Sequence, residues 1–307
     1  MIPYSHERDF ASRLTSMTTT TTPSTNEKAK SFGAYASTYD KFRPAYPQAA
    51  IHAILDATKH ATNVDTTEQL VVVDLAAGTG KAAMQYAHHV SRVICVDHDA
   101  RMLDQCLLVA KEQQLEGVVH VVHGYAEETR LEKASAHLVA AHQAFHWFDV
   151  RSTMKELHRV ITPNGIAAAV WNRKDLSNAC SREIEHAIRE YNPSYEKTFF
   201  SSPMARVLHS DTSENVDLDW SQLLQNGAMD LFSMQSRMQF PFALTYSGDD
   251  EVISLLETFS YVRSIDATKK SALFEKVRAI VENHAESDGS VILGYVTHIY
   301  LMKKCDT

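Results

Sequence analysis

Val71–Lys81, VVVDLAAGTGK, sets a short apolar run against a turn that holds two glycines. The run reads as a buried strand, the turn as a tight connection and the residues after Lys81 as a helix. Only ten of 307 residues are glycine, yet Gly78 and Gly80 stand one residue apart. Glycine serves where the backbone needs a positive φ or where a ligand approaches the main chain closely. A plain strand-to-helix connection is the structural alternative at this point.

Outward from the turn, Leu70–Leu75, Val93–Val96, Val118–Val122, Leu138–Ala141 and Ile166–Val170 read as five buried strands. Helices fall between them: one after Lys81, one through Leu103, Leu107 and Ala110, and one through Met154, Leu157 and Ile161. Such alternation predicts a parallel sheet with right-handed crossovers. Before it, residues 1–27 carry a threonine run and too little apolar content to pack, and read as a disordered tail. Ser31–Tyr39 reads as a short helix, and Pro47 opens another with Ile51, Ile54 and Leu55 on one face.

After VWNRKD, residues 176–232 show no regular period and read as an inserted cap. The expected core is therefore 28–175 together with 233–307. Its last part holds a strand near Phe240, Phe242 and Leu244, then one helix through Val252, Leu255, Leu256, Phe259 and Val262. A second helix through Leu273, Val277 and Val281 precedes a final strand, YVTHIYLM.

Composition narrows the function. Thirty basic against thirty-eight acidic residues give a net charge of −8, so no broad phosphate-binding face and no nucleic-acid partner are expected. No apolar run approaches the roughly 18 residues of a membrane span. The opening residues do not read as a secretory signal, which makes a cytoplasmic location the default. Cys95, Cys106, Cys180 and Cys305 lie far apart and fit reduced thiols. His142 and His146 have the spacing of helical metal ligands, but they follow a strand, where that spacing loses its meaning, and no metal is expected.

The turn lacks the marks of a P-loop, since Leu75 stands where the first glycine would be and Ala82 follows the lysine. A dinucleotide remains open, because GTGKAA is compatible with its fingerprint. Asp74, at the end of the first strand, would repel a pyrophosphate but attract a cation such as an ammonium or sulfonium. The N–H groups of the turn and helix start could receive a carboxylate. Asp97, ending the next strand, is placed to accept from ribose hydroxyls.

VVVDLAAGTGK, VICVDHDARML, GYAEE, AHQAFHWFD and LHRVITPNGIAAAVWN, in that order, resemble the class I S-adenosylmethionine-dependent methyltransferases. YASTYDKFRPAYP and ETFSYVRS are similar to the small-molecule branch that includes the trans-aconitate methyltransferases and related yeast-type enzymes. The resemblance implies a doubly wound, Rossmann-like α/β fold with a seven-stranded, mostly parallel sheet. It implies S-adenosyl-L-methionine as cofactor, with Asp74, Ala76, Gly78 and Gly80 around its methionine part, Asp97 at the ribose, Ala126 and Glu127 beside adenine, and His98 and Met102 also among the cofactor-binding residues. It also implies that His142 and Gln143 neighbour the cofactor and that His146 and Trp147 are catalytic.

Tyr39, Phe42 and Arg43 invite reading as a lid, and Arg43, Arg173 and Arg263 as clamps for a substrate carboxylate. The activity expected is methylation of a small acceptor, most simply the carboxyl O-methylation of an organic acid. C-methylation in quinone or sterol metabolism and an inactive cofactor-binding protein are the alternatives. A monomer or a homodimer is expected.

Overall fold

The computed structural model describes residues 41–192 and 230–306. The expected tail, the helix at 31–39 with Tyr39, and most of the expected cap lie outside these residues.

Helix α1 (Gln48–Thr62) leads to β1 (Val71–Leu75), α2 (Lys81–Ala87), β2 (Arg92–Asp97), α3 (Ala100–Glu112), β3 (Val119–His123) and β4 (Ala136–His142). Then follow α4 (Val150–Val160), β5 (Ile161–Lys174), α5 (Ala179–Tyr191) and β6 (Phe232–Tyr246). Helices α6 (Asp249–Glu257), α7 (Ser260–Arg263) and α8 (Ala267–His284) precede β7 (Val291–Lys304). The sheet order is β3-β2-β1-β4-β5-β7-β6. The first five strands pair in parallel, and β7 runs antiparallel between β5 and β6.

Strand period two divides the core. Val72, Val93, Cys95, Leu138 and Ala168 face α1, α2 and α3, which supply Ile51, Leu55, Ala83, Leu103 and Cys106. Their neighbours Val73, Ile94, Val96, Val139 and Ala169 face Met154, Leu157 and Val160 of α4. A third cluster joins α5 to α8 with Tyr246, Leu293 and Tyr295 at the antiparallel end. Because β1 pairs with β2 on one side and β4 on the other, the chain reverses its winding there and leaves a crevice at the strands' carboxyl ends.

All five expected parallel strands are present, and three local expectations need correction. Ile161 is not helical; it is the first residue of β5. The single helix expected through Val252 and Val262 is broken between α6 and α7, where the Thr258 hydroxyl donates to the Leu255 carbonyl at 2.6 Å. Within the stretch read as irregular, α5 is a regular helix: Cys180, Ile184, Ala187 and Ile188 are buried on one face, and Asn178 caps it by accepting from the Ser181 N–H.

The turn after β1 alternates left-handed residues, with φ +56° at Ala76, +56° at Gly78 and +81° at Gly80. A Cβ on Gly78 would meet nothing within 4 Å, whereas one on Gly80 would stand 2.5 Å from Cys106 Sγ and 2.9 Å from Met84 Cε. Gly80 is thus required both by conformation and by the close packing of α2 on α3. Gly80→Ala is expected to cost roughly 2–5 kcal/mol, the sum of left-handed strain and overpacking. The urea midpoint measures this; a midpoint within error of wild type at unchanged slope would refute the packing argument.

Candidate functional site

The site begins with two acids at adjacent strand ends. Asp74 is 1% exposed. Its Oδ2 accepts from the Ala83 N–H at 3.1 Å and its Oδ1 lies 3.1 Å from His142 Nδ1. His142 Nε2 in turn meets the Tyr86 hydroxyl at 3.2 Å, and the Tyr46 ring packs edge-on against the imidazole. The first turn of α2, the end of β4 and the segment before α1 are thereby joined through one buried carboxylate.

Asp97 ties the glycine turn to β2. Its Oδ2 accepts from the Gly78 N–H at 2.8 Å and its Oδ1 from the Asp99 N–H at 2.9 Å, while Ala77 N–H donates to the Val96 carbonyl. Gly80 N–H is bonded back to the Ala77 carbonyl. The N–H groups of Ala77, Gly78 and Gly80 therefore serve the turn's own shape. His98 Nδ1 lies 3.3 Å from Asp97, and this contact raises its pKa.

Between these acids and β4 opens a cavity of about 410 Å³. Leu75, Val96, Met102 and Ala126 give it apolar lining; Asp97, His98, Tyr125, Glu127, Gln143 and Trp147 add polar and aromatic groups. Ala76, Gly78 and His142 also line it. A smaller recess adjoins it, bounded by Arg43, Tyr46, Asp74, Thr79, Lys81, His142 and Gln143. Glu127 accepts from the Asp149 N–H at 3.0 Å, which links the cavity rim to the start of α4.

Some expected site residues stand elsewhere. Gly80 borders neither opening and serves packing. The His146 ring lies 4.9 Å from that of Trp147, with the Trp171 Nε1–H donating to its Nδ1 at 3.2 Å. Burial, with a smaller contribution from the nearby Arg43 cation, lowers its pKa to about 3. A neutral ring that accepts at Nδ1 carries its proton on Nε2, so His146 can donate and is a poor base.

Arg43 donates to the Thr258 carbonyl at 3.2 Å and lies 4.2 Å over the Phe259 ring. Phe42 packs on the antiparallel-end cluster. Arg173 lies on β5 opposite Val296, where it adds to the burial that lowers His298 to about 4. Arg263 ends α7. Neither Arg173 nor Arg263 borders the cavity or its recess.

Tyr46, Tyr86, Trp171 and Asn172 were not anticipated. Asn172 donates to the Ala45 carbonyl at 3.1 Å and accepts from the Thr297 hydroxyl at 2.6 Å. Its carbonyl receives the Gln143 amide. Gln85 grips both the N–H and the carbonyl of Tyr46. The position of Asn172 at the carboxyl end of β5 was the available signal, since ligands collect at such ends.

Two consequences can be measured. Tyr86→Phe removes the partner of a buried His142 nitrogen and should cost about 1–3 kcal/mol by denaturant unfolding; no loss would show that the bond carries nothing. For His146 the folded pKa lies below the unfolded value, so its contribution is complete above about pH 6.5 and is lost as pH falls towards 3. Wild type should lose up to about 2 kcal/mol from this group by about pH 5, a loss that His146→Gln abolishes. Parallel stability profiles for the two proteins would refute the lowered pKa.

Residues 73–169 match the family model described as a methyltransferase domain. The chain is 28% identical over 280 residues to an uncharacterized methyltransferase of Mycobacterium tuberculosis, covering 90% of this chain and 96% of the relative. It is 27% identical over 259 residues to an uncharacterized methyltransferase-like protein of Schizosaccharomyces pombe, covering 84% and 87%. Its fold resembles that of a solved protein of Anaeromyxobacter dehalogenans described as a candidate type II methyltransferase, with TM-score 0.53, 21% identity, and 85% and 97% of the two chains covered. Among the described residues no helix is long and apolar enough to cross a membrane. With the 3-2-1-4-5-7-6 sheet and the acid-bearing glycine turn already in place, these matches support a class I S-adenosylmethionine-dependent methyltransferase.

Proposed function

We propose that the protein transfers a methyl group to the carboxylate of a small organic acid in the cytoplasm. The observation that carries this reading is His146: its Nδ1 is taken by the Trp171 N–H and its pKa is lowered to about 3 by burial first. The histidine expected beside the acceptor is then a hydrogen-bond donor, which suits an acceptor that is already ionised near neutral pH.

The cavity's chemistry fits the cofactor. An apolar interior bordered by Tyr125 and Trp147 suits an aromatic base, and Asp97 at its edge suits ribose hydroxyls. The recess, with the acid Asp74 and the cations Arg43 and Lys81 around it, suits a group carrying both an ammonium and a carboxylate. When bound, the cofactor supplies an electrophilic methyl on a sulfonium. Gln143, Trp147 and His142 would hold that end of the cavity and exclude water, and His146 would donate its Nε2–H to an acceptor oxygen. Holding nucleophile and methyl in line then accounts for most of the rate, and no proton has to leave. Arg43 reaches the same end of the site and is the arginine retained as a clamp; Arg173 and Arg263 lie outside the two openings.

S-adenosylmethionine or its demethylated product should raise the melting temperature, with about 2.7 kcal/mol of stabilisation at a hundredfold excess over the dissociation constant, and NADH should not. Stabilisation by NADH alone would sink the cofactor assignment. With a panel of acids, phenols and amines, the single-turnover rate on the best acceptor should be nearly flat over about pH 5.5 to 8.5, and His146→Gln should retain part of it. An acceptor needing deprotonation, such as a phenol, an amine or an activated carbon, would instead give a rising profile and a loss of about 10²–10⁴-fold in the variant, which would overturn the carboxylate reading.

A further inference from the structure

On the outer side of the α1–α2 layer, His52 and His89 point their Nε2 atoms at each other across 3.3 Å. The ring centroids are 4.6 Å apart and the planes cross at 80°. His52 is on an exposed position of α1, and His89 follows the end of α2 half-buried. Two imidazole nitrogens bound to one tetrahedral divalent ion at about 2.0–2.1 Å stand about 3.3–3.4 Å apart. The observed spacing fits a shared ion, and a hydrogen bond between the two rings fits it as well.

The surroundings favour a cation at this point. Glu68 stands near His89 as a negative charge. Asp56 lies one helical turn beyond His52 on α1, also exposed. Among the described residues no group of three or more metal-ligating side chains is assembled, so water would complete the coordination.

We infer that His52 and His89 form a two-histidine site for a borderline divalent cation of the zinc, nickel or copper type, separate from the methyl-transfer cavity. The imidazole pair and the solvent-facing remainder of the shell suit such ions and not magnesium or calcium, which take oxygen ligands. The site links α1 to the far end of α2, four residues beyond the Gln85–Tyr46 clasp that joins the same two elements. A bound ion therefore staples the helix whose first turn carries the Asp74 bond to the segment that lines the recess.

The test uses the full metal-free chain titrated with zinc chloride against a chromophoric chelator, alongside His52→Ala, His89→Ala and the double variant. Each variant is first checked for wild-type melting temperature and unchanged affinity for S-adenosylmethionine. Wild type should bind one equivalent of zinc that each single variant weakens about tenfold or more, with no further loss in the double variant. Zinc should also raise the melting temperature of wild type and not of the variants. Equal zinc affinity and stoichiometry in all four proteins, or no binding by wild type, would show that the two rings share only a hydrogen bond.

Discussion

An ionised carboxylate enclosed in protein is tolerable only when its oxygens are met by fixed donors, and Asp74 imposes that condition at the centre of the sheet. One donor is the Ala83 N–H in the first turn of α2, where the helix dipole also favours negative charge. A further partner is His142, at the last residue of β4. Moving α2 or the end of β4 would strand a charge, so both are located by the same side chain. His142 carries the constraint onward to Tyr86 and Tyr46, and Tyr46 is gripped by Gln85 of the same α2 helix. The walls of the recess are thus braced before any ligand enters, which reduces the ordering that binding would otherwise cost.

Asp97 shows how one carboxylate can serve shape and recognition together. It has capacity for about four hydrogen bonds; two are used by the Gly78 and Asp99 N–H groups, and His98 Nδ1 lies 3.3 Å from its Oδ1. These contacts define the mouth of the cavity that Asp97 also lines. Removing this acid should therefore loosen the turn as well as weaken a ligand, and a loss of affinity in an Asp97 variant cannot be assigned to ribose contact alone. Ala76 illustrates a related economy: it holds a left-handed φ of +56° without being glycine, a strain the tethered turn around it maintains.

The parallel strands were legible because strands buried on both faces read as continuous apolar runs, and the glycine turn because few other residues accept its backbone. Helix α5 was less legible: its buried positions are occupied by Cys180, Ile184, Ala187 and Ile188, diluted by serine, histidine and five charged residues. The break between α6 and α7 was hidden for the opposite reason. Both helices bury the same cluster, so the apolar stripe runs across a junction that is set by Thr258. In the site, residues adjacent in sequence to the strand ends were found, whereas Tyr86, Trp171 and Asn172 enter through contacts 56, 25 and 29 residues distant in sequence. Periodicity carries no information about such contacts.

His146 makes the same point chemically. From sequence it is a histidine near a reactive position, and an unperturbed histidine is well suited to take a proton at neutral pH. Its environment reverses this: a tryptophan N–H fixes the ring's tautomer, while burial and the Arg43 charge disfavour the protonated state. The three effects act together: burial and the Arg43 charge favour the neutral ring, and the tryptophan N–H places its proton on Nε2. Nucleophilicity on the proposed reading must then come from the acceptor's own ionisation, and selection falls to whatever recognises an anion. A phenol or amine would arrive protonated and find a donor where it needs an acceptor. A carboxylate arrives with lone pairs already exposed, and a donor that steadies one oxygen leaves the other available for attack.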